Sequence, residues 1–296
     1  MTNADPVVRV VTRLRGILPL RFRPDIPVVP VVRLSGVIGF STPLKPGLTL
    51  ASCARSLDRA FTFPRASAVA LLINSPGGSA VQSHLIFQRI RALSEEKGIP
   101  VIAFVEDVAA SGGYMVACAA DEIVTDVSSI VGSIGVVGGS FGFHRLLDKV
   151  GVERRLYTSG EHKAMLDPFL PEKPEDVERL KSIQKEIHEL FIALVKSRRG
   201  AKLVGPESAL FSGEFWIGKK AQELGLVDRI GNLRSVMRER FGDKVVTPLV
   251  SAERGWLRRR VGGVAGSLDE AWDSPGLAEN IVSAIETRAL WARFGL

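Results

Sequence analysis

Cysteine is nearly missing from this chain: Cys53 and Cys118 are the only two in 296 residues. Two thiols cannot make a disulfide framework, and their separation is not that of a metal-ligand pair. Cys118, set among small apolar residues, reads as a buried thiol. Long hydrophobic runs are missing too. No stretch reaches the roughly 18 uncharged apolar residues that a membrane span needs, and the N-terminus lacks a signal peptide's order of charge, apolar run and small-residue cleavage site. No internal repeat or long low-complexity linker is present. Aromatic residues make up 7%. Nucleic-acid binding calls for a basic stripe interleaved with aromatics, and near the N-terminal arginines only Phe22 qualifies, so no nucleic-acid partner is expected.

What is present fits a folded chain. Hydrophobic residues make up 46% and charged residues 24%, enough for a substantial core in one large or two ordinary domains. The net charge of +7 is unevenly placed. Arg9, Arg13, Arg15, Arg21, Arg23 and Arg33 face only Asp5 and Asp25 in the first 33 residues, whereas residues 251–296 balance six arginines with six acids. Val7, Val10, Val11, Leu14, Ile17 and Leu18 recur at helical spacing opposite Arg9 and Arg13. Such a basic amphipathic helix either lies on an anionic membrane surface or docks on a neighbouring subunit. The low cysteine content permits a cytoplasmic location, with peripheral membrane contact the alternative for this segment.

Strand-like and helix-like segments alternate from about residue 28 to residue 240. Val28–Leu34 and Ala68–Ile73 are apolar runs, the second reading as a strand buried on both faces. Asn74-Ser75-Pro76-Gly77-Gly78 is a turn, Ser79–Lys97 a helix, and Val101–Val105 a strand that ends in a short polar turn at Glu106-Asp107. Ser111–Ala120 reads as a short helix, Glu122–Thr125 and Ile130–Val137 as strands, and Phe143–Val150 as a helix. Glu153–Tyr157 reads as extended, and Glu175–Arg199, Lys219–Leu224 and Leu233–Phe241 as helices. The alternation predicts an α/β fold with parallel β-strands and crossover helices. It divides the chain into an N-terminal segment 1–27, a main domain 28–249 and a C-terminal tail 250–296 that ends in a helix over Leu277–Phe294.

Ser111 stands out by its surroundings. It follows a buried strand, precedes Gly112-Gly113 and opens a helix, where free backbone N–H groups can stabilise an oxyanion. An ordinary N-cap serine is the alternative on these residues alone. Gly77-Gly78 supplies a second donor-rich turn at the end of a neighbouring strand, the place where α/β proteins build active sites. A serine nucleophile needs a base. His84 and His188 fall inside helices, His144 opens one, and His162 has no telling context, although a triad need not be contiguous in sequence. Lys163 lies in an irregular segment, Tyr157–Phe169, and a lysine can act as base only in its neutral form. A solvated surface charge is the alternative for it.

At these motifs the chain resembles the signal peptide peptidase A (SppA) family, which shares the ClpP/crotonase fold. The matching residues are Asn74-Ser75-Pro76-Gly77-Gly78, Ala109-Ala110-Ser111-Gly112-Gly113-Tyr114, Gly132-Ser133-Ile134-Gly135, Ser159-Gly160-Glu161-His162-Lys163 and Ala221-Gln222-Glu223-Leu224-Gly225-Leu226-Val227-Asp228. They occur in family order over about residues 30–245. The resemblance implies a serine endopeptidase that cleaves residual signal peptides or other membrane-derived or unfolded peptides. Ser111 would be its nucleophile and Lys163 its general base. Ser133 would orient the lysine, and the N–H groups of Gly78 and Gly112 would form the oxyanion hole, with no metal or organic cofactor. Short single-copy members form homo-oligomers in which serine and lysine come from different subunits. Two features depart from the family pattern: the membrane anchor of many relatives is not seen, and Leu166-Asp167 stands where smaller or neutral residues are expected, so that Asp167 could hold Lys163 protonated. The rival readings are a crotonase-like acyl-CoA enzyme, which would need no serine at 111, and a non-catalytic scaffold on the same fold.

Overall fold

The computed structural model describes residues 26–39, 47–251, 285 and 288–296. The N-terminal amphipathic segment and most of the C-terminal tail lie outside these residues.

Apolar runs form the strands. In chain order the elements are β1 (Val31–Ser35), α1 (Leu50–Phe61), β2 (Val69–Ser75), α2 (Ala80–Lys97), β3 (Val101–Ala110), α3 (Gly112–Ala117), β4 (Glu122–Thr125), β5 (Ile130–Gly132), α4 (His144–Val150), α5 (Pro174–Arg199), α6 (Glu207–Leu210), β6 (Phe215–Ile217), α7 (Gly218–Glu223), β7 (Arg229–Ile230) and α8 (Leu233–Phe241). The strands pair in the order β1-β2-β3-β4-β7, all parallel, while β5 joins β3 in parallel and β6 antiparallel. This is the α/β class that the alternating pattern predicts.

Side chains alternate across the sheet with the two-residue period of a strand. Val69, Leu71, Ile73, Val101, Ala103 and Val105 point into one core with α1, α2, α3 and α5. Ala70, Ile102, Phe104 and Val124 face the other way, against Val236 and Met237 of α8. Local chemistry sets the helix ends. Thr49 and Ser52 close a capping box at the start of α1, and Gly98 ends α2 in a left-handed conformation. Among the described residues no helix is long and apolar enough to cross a membrane.

The sheet departs from the sequence reading mainly in β3. Glu106 and Asp107 do not form a turn; the strand runs on to Ala110. Their charges find partners on β1 and β2, where Arg33 reaches Glu106 at 3.1 Å and the Asn74 side-chain amide donates to Asp107 at 2.6 Å. The register explains the extra length. Ile73 pairs with Val105 but Ser75 pairs with Ala109, so β3 carries two additional residues against β2. Such a bulge bends a strand and re-aims the residues beyond it. The first half of β3 pairs with β4, and its last three residues pair with β5. One further expectation fails: the strand at 130 stops at Gly132; Glu153–Tyr157 lies exposed outside the sheet. The short strands β6 and β7 were not foreseen.

The Ala221–Asp228 motif is a structural clamp behind α3. Arg199, only 3% exposed, donates to the Gly225 carbonyl through Nε at 3.0 Å and Nη2 at 2.7 Å, and to Asp228 through Nη1 at 2.8 Å. Asp228 also accepts from the Ile123 N–H and from Lys202 Nζ, both at 2.7 Å, and the Tyr114 hydroxyl donates to the Leu226 carbonyl at 2.7 Å. Burial alone would raise the Asp228 pKa, but the bonds from Arg199, Lys202 and Ile123 outweigh it and hold the carboxyl below its ordinary range. Truncating Arg199 leaves a half-buried carboxylate without its main partner. Arg199→Ala is therefore expected to cost about 3–5 kcal/mol in urea unfolding, against about 1 kcal/mol or less for Lys202→Ala, whose lysine is half exposed. Because the folded pKa is depressed, the unfolded chain takes up the Asp228 proton first. The stabilisation is thus complete above the ordinary carboxylate range and disappears as pH falls below it, and in Asp228→Asn that acid-side loss should shrink. Nearby, burial pushes the Cys118 thiol up to about 12, as expected for an inert core cysteine.

Candidate active site

The register of β3 on β5 brings two serines side by side. Ala110 pairs with Gly132, so Ser111 and Ser133 occupy the next position on adjacent strands. The Ser111 N–H donates to the Gly132 carbonyl at 2.8 Å, and the Ser133 N–H donates to the Glu214 carbonyl at 2.6 Å. Both serines have positive φ, 51° and 52°.

Ser111 has φ 51° and ψ −123°, the angles of the first central residue of a type II′ turn, where glycine is the usual occupant. An ordinary capping serine has an extended backbone and accepts a hydrogen bond from the first turn. Ser111 has neither feature: its side chain makes no capping bond to α3. A non-glycine residue held there costs of order 1–3 kcal/mol, and such strain concentrates at functional sites. The buried strand and the wholly buried helix α3 fix the turn from both sides.

The glycines allow two turns to close on each other. A Cβ at Gly77 would lie 2.8 Å from Ser111 Cβ, 2.8 Å from the Ala110 carbonyl oxygen and 2.9 Å from the Gly112 nitrogen, at a φ of 99° that itself favours glycine. Gly77→Ala is therefore expected to displace Ser111, lowering turnover at this site by tenfold or more with a stability loss of about 1–3 kcal/mol. Equal turnover in a refolded Gly77→Ala protein would show that the turn tolerates movement. Gly78 bridges Ile38, but the bonds there are made by its neighbours, Ile38 N–H to Gly77 and Ser79 N–H to Ile38, both 2.8 Å. In a parallel ladder the N–H of Gly78 then points away from Ile38. Gly112 is the first residue of α3, where an N–H has no intrahelical acceptor.

Ser111, Gly78 and Gly112 line one cavity of about 670 Å³, with Pro76, Ala80, Met115, Val136, Val137, Phe141, Ile187 and Phe191 around them. No histidine is among its described lining residues, and His188 instead meets the Ile134 carbonyl at 3.0 Å. Ser133, 6% exposed, is buried and is not among the residues lining the cavity.

Lys163 is elsewhere. It lies exposed in a run of turns, folded back against Gly160, and it is not among the residues that line the Ser111 cavity. Asp167 is turned to other partners. Arg154 pairs with it, the Phe169 N–H donates to it at 2.9 Å, and these two bonds hold its carboxyl below the ordinary range. The segment that carries Lys163 is tied to the cavity rim through aromatic contacts. Phe141 meets Phe143 at 6.2 Å, Phe143 meets Phe169 at 5.6 Å, and Arg154 lies 4.9 Å from the centre of the Phe169 ring.

Sequence reading missed the cavity's far wall, which comes from the C-terminal tail. Ala289, Leu290 and Arg293 line the cavity, while Phe294 packs on Val108 and Ala110. The apolar spacing of Leu290, Trp291 and Phe294 was the available signal, but it does not say which surface receives them.

Several known proteins are similar to parts of this chain. A protein of Brucella abortus named Na(+)/H(+) antiporter NhaA is 53% identical over 287 residues, covering 96% of this chain and 39% of that protein. The chloroplastic serine protease SPPA of Arabidopsis thaliana is 37% identical over 170 residues, 56% of this chain and 24% of the relative. This chain thus spans well under half the length of either. Among solved structures, a point mutant of the membrane-bound stomatin-specific protease 1510-N aligns with a TM-score of 0.46 at 18% identity, over 76% of this chain and 94% of its own. Residues 94–246, just over half of the chain and the part that contains Ser111, Ser133 and Lys163, match the model of peptidase family S49, and the chain belongs to that family.

Proposed function

We propose that the chain is a serine endopeptidase of the Ser–Lys type, with Ser111 as nucleophile and Lys163 of another copy as general base. The observation that carries this reading is the backbone of Ser111. A serine kept in a glycine conformation, without a capping bond and facing a cavity, has no structural task that would repay its strain.

The steps follow from the groups present. A peptide lies extended in the cleft, held by backbone pairing to an open strand edge. The unprotonated Lys163 amine takes the Ser111 proton as Oγ bonds to the scissile carbonyl carbon. The Gly78 and Gly112 N–H groups hold the oxyanion, and Ser133 orients the amine. Collapse expels the new amino terminus, which takes the proton back from Lys163. Water, deprotonated in turn by the lysine, then releases the acyl group. The apolar lining favours small and apolar residues near the cut, as residual signal peptides and unfolded membrane-derived peptides provide.

Assembly supplies the missing base. The segment from Val136 to Leu170 exposes apolar side chains that a monomer would not leave in water: Phe141 is 78% exposed, Tyr157 88% and Val150 61%. Helix α4 buries none of its residues, although one buried Leu or Val side chain contributes roughly 2 kcal/mol. A second copy of the chain, packed on this surface, gives the Val136–Leu170 segment its core and carries a lysine to a neighbouring serine. The test is labelling of the assembled protein with a fluorophosphonate probe, followed by peptide mass spectrometry. The adduct is expected on Ser111; cleavage activity that persists with Ser111 blocked would overturn the assignment.

A further inference from the structure

The cleft's far wall carries one charge. Among the described residues lining the Ser111 cavity, every side chain is uncharged except Arg293. Its backbone is held by its neighbours. Phe294, 7% exposed, packs with Val108 and Ala110 of β3 and stands edge-on to Phe215 at 5.0 Å, and Trp291 packs against the same cluster. Val108 and Ala110 belong to the strand that ends at Ser111, so the wall and the nucleophile rest on one rigid element. The Arg293 guanidinium lies 6.0 Å from the centre of the Phe294 ring, and among the described residues no carboxylate pairs with it.

Arg293 is exposed at the rim of this apolar cleft, so its pull on a carboxylate is modest and strongest at low salt. A guanidinium also offers paired donors that match both carboxylate oxygens. Resting on the peptidase reading of the site, we propose that Arg293 is a specificity-determining residue, and that the cleft takes apolar peptides bearing a carboxylate opposite it. The carboxylate comes either from an Asp or Glu side chain or from a free peptide C-terminus. Small apolar residues fill the groove around Ser111, and the charge fixes the register of the peptide along it.

The test reads binding rather than cleavage, so that it can fail independently of the mechanism. The assembled Ser111→Ala protein is titrated with fluorescent peptides of one apolar sequence in which a single Glu, Gln or Lys is walked through each position. Each is made with a C-terminal acid and with a C-terminal amide. At low salt at least one position is expected to favour Glu over Gln by about fivefold, or the acid over the amide by a similar factor, with the preference shrinking as salt rises. Adding Arg293→Gln should bring that ratio near one, Arg293→Lys should retain most of it, and Arg293→Glu should reverse it in favour of Lys. Equal affinities for the charged and neutral peptides, or a preference that survives Arg293→Glu, would overturn the proposal while leaving Ser111 chemistry untouched. A charge preference in a protein whose wild-type form cleaves none of these peptides would leave Arg293 standing and remove the catalytic reading.

Discussion

Ser111→Ala is expected to cut hydrolysis of an unfolded protein or signal-peptide substrate by at least about 10³-fold, with unfolding midpoint and oligomeric state unchanged. Alanine keeps the Cβ and meets the same backbone penalty at φ 51°, so the strained turn is neither relieved nor worsened. What disappears is the hydroxyl oxygen that the proposed acyl intermediate requires. Lys163→Ala should be as severe, because neither half of a nucleophile–base pair works alone. Ser133→Ala removes orientation but not the base, and a loss of about 10- to 100-fold is expected. Near-wild-type turnover in Lys163→Ala would remove the mechanism. A Ser133→Ala defect deeper than that of Lys163→Ala would exchange the roles assigned to those two side chains.

Parts of this site were legible because their chemistry is local. Gly77-Gly78 announces a turn by composition, Gly112-Gly113 a close-packed helix start, and the apolar runs before them announce buried strands. That Ser111 would carry glycine angles was not legible, since an N-cap serine and a strained nucleophile present the same letters. The bulge in β3 was hidden for a different reason. Glu106 and Asp107 look like a turn until Arg33 and Asn74, 73 and 33 residues away, are seen to partner them. Pairing between distant strands decides such cases, and no window of sequence contains it. The C-terminal wall was invisible on the same ground: Leu290, Trp291 and Phe294 show an apolar face but not its destination. Lys163 is the extreme case. The site in one chain is built from residues 76–141, 187–191 and 289–293, and the proposed base lies outside it.

That separation leads to the sharpest expectation of the oligomeric reading. Ser111→Ala and Lys163→Ala chains, each inactive alone, should regain activity when mixed and allowed to exchange subunits. In a ring that joins one patch of a subunit to a different patch of the next, the proposed shared site would take its serine and its lysine from two chains. In an equal mixture a site works only where an intact Ser111, present on the Lys163→Ala chain, meets an intact Lys163, present on the Ser111→Ala chain. Random assembly gives that pairing at about one site in four, so recovery should approach about a quarter of wild-type specific activity. It should also fall off on either side of the equal ratio, which distinguishes shared sites from a trace of contaminating wild-type protein. Tyr157→Glu would place a charge on an exposed apolar part of the Val136–Leu170 segment and should reduce both assembly and activity. With exchange verified by differently labelled chains, zero recovery would place serine and base within a single subunit. A monomer by light scattering that cleaves at the full rate would end the shared-site reading.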